Sequence, residues 1–149
     1  FNILETGHLF DAISILSKGN LSLLPVVDEA NMYKGYLSAT ELLQDIGAES
    51  GFTEPGGVLV LKIIKRDYHL TQIAQIVESE DARIIGLYVA NAGAKDTIHL
   101  WLKLNQMDLT RIIKSFDRFN YEVVEAFHNS LFDDDTSDRY DAFMKYLNI

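Results

Sequence analysis

Cysteine is absent from this 149-residue chain, which excludes disulfides, thiolate metal sites and a cysteine nucleophile, and fits a cytoplasmic setting. Basic residues are few. The 13 Lys and Arg stand against 22 Asp and Glu, a formal charge of −9, so neither nucleic acid nor an anionic lipid surface is an expected partner. No apolar run approaches the ~20 residues that a membrane-crossing helix requires, and no signal peptide is visible. His8, His69, His99 and His128 are scattered without the spacing of a metal pair, and no G-x-S-x-G elbow precedes a helix. Asp133, Asp134, Asp135 and Asp138 lack the alternating ligands, the Gly and the closing Glu of a Ca²⁺ loop, and read as a solvated acidic loop. These absences point away from an enzyme and from a resident metal. A hydrophobic content of 48% is enough for a real core, arranged as one domain or, as favoured here, two small ones.

The apolar spacing defines the elements. Leu9, Ala12, Ile13 and Leu16 share one helical face, with a basic last turn and a breaker in Lys18-Gly19-Asn20, so a helix is expected over residues 7–18. A short strand at 2–4 precedes it. Residues 24–27 and 33–37 read as strands joined by a turn at 28–31, and Leu42, Leu43 and Ile46 mark a helix stopped by Gly47. Composition then shifts to Gly, Ser, Pro and Glu over 49–57, the expected linker, with Pro55-Gly56-Gly57 as its strongest breaker.

A second pattern follows. Strands are expected at 58–64, 83–90, 97–104 and 121–128, and helices from the Leu70, Ile73, Ala74, Val77 stripe and from the Leu109, Ile112, Ile113, Phe116 face capped by Asp108. Ile98, Leu100, Leu102 and Leu104 alternate with Thr97, His99, Trp101 and Lys103, the clearest period-2 run present. The order β-α-β-β-α-β gives a four-stranded antiparallel sheet with two helices on one face, the ferredoxin-like arrangement. Val58, Val60, Ile64, Trp101 and Val124 would lie on the other face. That face is expected to be covered by a last helix carrying Tyr140, Phe143, Met144 and Leu147, and by a second subunit.

One stretch carries chemistry. Ser38-Ala39-Thr40-Glu41 is a capping box, Ser38 bonding a third-residue N–H and Glu41 reaching back. The N–H groups of the same helix start can also hold a phosphate, with Glu41 accepting from ribose hydroxyls. Leu24-Pro25-Val26-Val27-Asp28 followed by Gly35-Tyr36-Leu37-Ser38-x-x-Glu41-Leu42-Leu43 resembles the cystathionine-β-synthase (CBS) domain, whose ligand motif is Gly, two apolar residues, Ser or Thr, two variable residues and Asp. The resemblance implies a β-α-β-β-α regulatory module over residues 1–48 that binds AMP, ATP or S-adenosylmethionine, with Gly35, Tyr36, Ser38, Thr40 and Glu41 as ligand residues, Ser38 near phosphate and Glu41 near ribose. Glu41 stands where the family has Asp. CBS domains work as pairs and one copy is present, so its partner is expected upstream of Phe1 or from another chain.

Residues 58–128 resemble an ACT domain, a regulatory module of the same strand and helix order that often binds amino acids at its first strand–helix turn, here Arg66, Asp67 and Tyr68. No Gly occupies that turn. An acidic loop and helix over 129–149 complete the expected organisation. With Glu54-Pro55-Gly56-Gly57, Phe119-Asn120-Tyr121 and Tyr146-Leu147-Asn148-Ile149, the whole chain looks like bacterial acetoin-utilisation-type proteins that join a CBS pair to an ACT-like tail. The expected function is an α+β, non-enzymatic sensor acting as a homodimer, without nucleic acid, membrane or cofactor. The alternatives are an assembly module with degenerate ligand sites and an ACT-type amino-acid sensor.

Overall fold

The computed structural model describes residues 1–128 and Lys145. The expected last helix, with Tyr140, Phe143, Met144 and Leu147, and the acidic loop before it lie outside the described residues. The chain divides into two compact units, one spanning Phe1–Thr53 and the other beginning at Glu54.

In the first unit the order is β1 (Ile3–Leu4), α1 (Leu9–Gly19), β2 (Leu23–Val27), β3 (Tyr33–Ser38), α2 (Ala39–Gly47) and α3 (Ser50–Thr53). Its three strands run β1-β2-β3; β1 is parallel to β2, and β2 pairs antiparallel with β3 so that Leu24 faces Leu37 and Val26 faces Gly35. Ile3, Ala12, Leu16, Leu24 and Leu42 form its core. Both ends of α1 differ from expectation. His8, not Gly7, marks the start: its Nδ1 accepts from the Phe10 N–H at 3.1 Å while its own N–H donates to Asp11 Oδ2 at 3.3 Å. Gly19 remains helical, and Asn20 takes the left-handed conformation (φ 50°) while the Leu21 N–H closes back on the Leu16 carbonyl at 2.9 Å. Asparagine tolerates this geometry because its short polar side chain lowers the steric penalty.

The hairpin turn between β2 and β3 is held by Asp28, whose Oδ1 accepts from the Ala30 and Met32 N–H groups at 3.0 and 2.8 Å and whose Oδ2 meets Lys34 Nζ at 3.2 Å. The Met32 amide, ahead of Lys34 and Ala30, holds this carboxyl below the usual 3.8 despite partial desolvation. A carboxyl whose folded value is depressed stabilises above its unfolded pKa, and the effect is lost as pH falls through the folded value. Asp28→Asn is therefore expected to flatten the part of the acid-unfolding curve that lies below pH 3.8, measured by circular dichroism.

The stretch 49–57, expected as linker, contains α3. The Glu49 carbonyl accepts from the N–H groups of Phe52 and Thr53 at 2.9 and 3.1 Å, one helical turn that ends before Pro55.

The second unit runs β4 (Val58–Ile64), a 3₁₀ turn (Lys65–Asp67), α4 (Leu70–Ser79), β5 (Ile84–Asn91), β6 (Thr97–Leu104), α5 (Thr110–Arg118) and β7 (Glu122–Phe127). Its four strands lie in the order β5-β6-β4-β7, with every neighbouring pair antiparallel. Leu59, Leu61 and Ile63 of β4 and the four alternating residues of β6 pack against Ile73, Ile76 and Val77 of α4 and Ile112 and Phe116 of α5. On the opposite face Val60 is buried, Ile64 is exposed, and Tyr88 and Trp101 stack at 5.2 Å between ring centroids. Val124 sits at a bulge, where the β4–β7 register shifts. Asp108 accepts from the Thr110 N–H at 3.0 Å and from its hydroxyl at 2.7 Å, and so tethers the start of α5. Between α4 and α5, the Ser115 hydroxyl donates to Glu80 Oε1 at 2.6 Å, and Arg111 Nε lies 3.2 Å from Oε2.

Candidate functional site

The Ser38 corner forms where β3 ends and α2 begins. Alternation along β3 turns Leu37 into the core and leaves Tyr36 and Ser38 on the other face, Tyr36 being 59% exposed. Ser38 keeps extended backbone (φ −95°, ψ 146°), which aims its side chain along the first turn of α2. Three bonds then close it on Glu41. The Ser38 hydroxyl donates to Glu41 Oε2 at 2.7 Å, the Ser38 N–H donates to the same oxygen at 3.3 Å, and the Glu41 N–H donates to Ser38 Oγ at 3.1 Å. The Ala39 N–H donates to the Ser22 carbonyl at 2.9 Å, tying α2 to the entrance of β2.

Of the five residues expected at this corner, Ser38 and Glu41 are in direct contact and Thr40 is exposed on the same helical turn. Gly35 lies opposite Val26, and a Cβ added there would meet nothing within 4 Å, so packing inside this unit does not require a glycine.

In the second unit, Arg66 and Asp67 are exposed and only 4.0 Å apart, an ion pair too loose and too solvated to matter for stability. Tyr68 packs on the edge of the core. A cavity of about 420 Å³ opens beside the turn, lined by Ile64, Lys65, Arg66, Asp96 and Thr97. Arg66 thus lines this cavity, whose walls do not include Asp67 or Tyr68. Lys65, Asp96 and Thr97 come from strand register: Ile64 pairs with Thr97, and the Lys65 N–H donates to the Asp96 carbonyl at 2.8 Å. Tyr121 is tied to α4, its hydroxyl donating to Gln72 Oε1 at 2.7 Å; burial first, then the Asp67 charge, pushes its pKa above 10. A second, apolar groove of about 490 Å³ lies between α1 and α2, lined by Ile13, Leu16, Leu42, Leu43 and Ile46 among others.

Among the described residues, no group of three or more His, Asp or Glu side chains is placed to hold a metal ion, and no helix is long and apolar enough to cross a membrane. His128 is used structurally, its Nδ1 accepting from the Leu109 N–H at 3.2 Å beside the start of α5.

From β1 to α2 the first unit is thus a small β-α-β-β-α module with a polar corner at its second helix. Residues 3–48 match the CBS domain family, and the chain contains a CBS domain there. Such domains commonly serve as regulatory modules that bind adenosyl ligands. No curated protein matches the sequence. The crystal structure of protein BT0572 from Bacteroides thetaiotaomicron aligns with 80% of this chain and 84% of its own, at 14% identity and a TM-score of 0.37.

Proposed function

We propose that the chain is a non-catalytic sensor in which an adenosyl compound occupies the Ser38–Glu41 corner and changes how a homodimer packs. The carrying observation is the paired hydroxyl and carboxylate at a helix start inside the CBS domain. In the same reading the second unit is ferredoxin-like and ACT-like. The strand order β5-β6-β4-β7 supports this, because a β-α-β-β-α-β repeat with both helices on one face has that order. The likeness to bacterial acetoin-utilisation-type proteins, and a cytoplasmic setting, belong to this reading as well. Signalling requires that the ligand bind two arrangements with different affinity.

Calorimetric melts with AMP, ATP and S-adenosylmethionine test it. At a ligand concentration about 100 times Kd, binding adds about 2.7 kcal/mol of stability, and Ser38→Ala is expected to reduce that shift. Absence of any shift with all three compounds would sink the sensor reading.

A second reading, an assembly module, is favoured by the outer face of the first sheet. Leu4, Leu23 and Tyr36 there are 47%, 53% and 59% exposed. Sedimentation equilibrium is expected to show a dimer; monomer at every concentration removes both this reading and the homodimer.

A further inference from the structure

Among the described residues the two sheets have four edges, and three of them carry devices that keep an edge strand from pairing with another chain. β1 is only two residues long, β3 includes the charged Lys34, and β7 carries Glu122, Glu125 and a register shift against β4. The β5 edge differs. It spans eight residues, Ile84–Asn91, with neither a charge nor a proline, and after a shift at its start it runs in unbroken register from Gly86 to Asn91.

Both faces of this edge are apolar and open. Leu87 and Val89 pair with Leu102 and Leu100, which are fully buried on the face that α4 and α5 cover, yet are themselves 36% and 44% exposed. Among the described residues, the helix layer therefore stops short of β5 and leaves the margin of the core open. Tyr88 pairs with Trp101 on the other face and is 60% exposed.

A second copy of the same strand answers the unpaired backbone and both apolar faces at once. A two-fold axis normal to the sheet sets β5 antiparallel to itself and keeps both helix layers on one side, so that Leu87 and Val89 of each copy cover those of the other. With the axis at Tyr88, Leu87 comes opposite Val89 and Gly86 opposite Ala90. Charge favours the same contact. Each chain carries −9, so two copies repel over most of their surface and approach most easily along a strand without charge.

We propose that β5 is the dimer interface, where two copies join their four-stranded sheets into one continuous sheet. This rests on the homodimer of the proposed function and assigns it a surface other than the outer face of the first sheet.

Disulfide trapping on the full chain tests it. The sequence has no cysteine, so Leu87→Cys, Tyr88→Cys and Val89→Cys each introduce a single thiol. Residues opposed in an antiparallel pair have Cα atoms about 4.5–5.5 Å apart, within disulfide reach. Under mild oxidation the variant nearest the axis is expected to form a covalent dimer at least about tenfold faster than Glu122→Cys on the exposed β7 edge, a rate read on non-reducing gels. Leu87→Lys combined with Val89→Lys brings four like charges together across the axis, and is expected to raise the dimer dissociation constant at least about tenfold by sedimentation equilibrium. Circular dichroism checks that this variant is folded; if it is not, the cysteine variants decide alone. Trapping at all three β5 positions no faster than at Glu122, or a dimer unaffected by the folded double variant, overturns the proposal. A dimer that persists in either case leaves the homodimer reading standing through another surface. Monomer at every concentration of the unaltered chain overturns both.

Discussion

Gly56→Ala is expected to destabilise the second unit by at least about 3 kcal/mol, at the upper end of overpacking effects. An alanine Cβ at this position would lie 1.8 Å from the Leu104 carbonyl oxygen and 2.9 Å from its carbon. Both obstacles are backbone, so no side-chain rotation relieves the clash. The surrounding chain is also pinned: the Gly57 N–H donates to the Gln106 carbonyl at 2.7 Å, and the Leu104 N–H donates to the Gly57 carbonyl at 2.9 Å. Moving Gly56 away therefore breaks the ladder where β4 and β6 begin to pair. Urea unfolding followed by fluorescence gives a clean measurement, because the single tryptophan, Trp101, lies in β6 and reports on this unit. An unchanged midpoint for Gly56→Ala would show that the segment yields freely.

The second large effect is expected from Phe116→Ala, a loss of about 3–5 kcal/mol typical of a fully buried aromatic. Phe116 is 0% exposed and meets Tyr121 edge-on, with centroids 5.6 Å apart and planes at 80°. Its removal leaves a void between α5 and the sheet and takes away the ring against which Tyr121 packs. Two readings follow, a lower urea midpoint by Trp101 fluorescence and a Tyr121 hydroxyl titrating closer to 10, by ultraviolet absorbance. Phe116→Leu should cost less, because more of the volume remains filled. Equal losses for the two variants would argue against a cavity as the cause.

Much of this architecture was legible in the sequence because its signals are local. The alternation along β6 matched burial residue by residue, with Ile98, Leu100, Leu102 and Leu104 all inside. The Ser38–Glu41 box was legible for the same reason, as both partners lie within one helical turn. Features that depend on distant pairing were not. Lys65, Asp96 and Thr97 share a cavity only because β4 and β6 pair in a particular register. Ser115 and Glu80 meet across two helices, and nothing near either residue announces the other. A third group was missed through substitution of one residue type for another in a familiar role. Histidine replaces Ser or Asp as the cap of α1, and Asn20 replaces glycine at its left-handed end. The helix α3 was hidden by composition, since Ser50 and Gly51 favour loops yet four residues suffice for a single turn.

The position of β4 at the centre of its sheet has a consequence for how the chain is made. In the first unit Ile3 pairs with Val26, and the three strands are all present once Ser38 has been synthesised. In the second, Leu61 must wait for both Leu100 and Val123 before its two edges are paired. Non-local pairing of this kind folds slowly, because the intervening chain must be ordered before the contacts stabilise it. The CBS domain can therefore close while the later strands are still being added. During that interval β4, with its apolar run Val58-Leu59-Val60-Leu61, has two unpaired edges and is the segment most open to wrong partners on the ribosome.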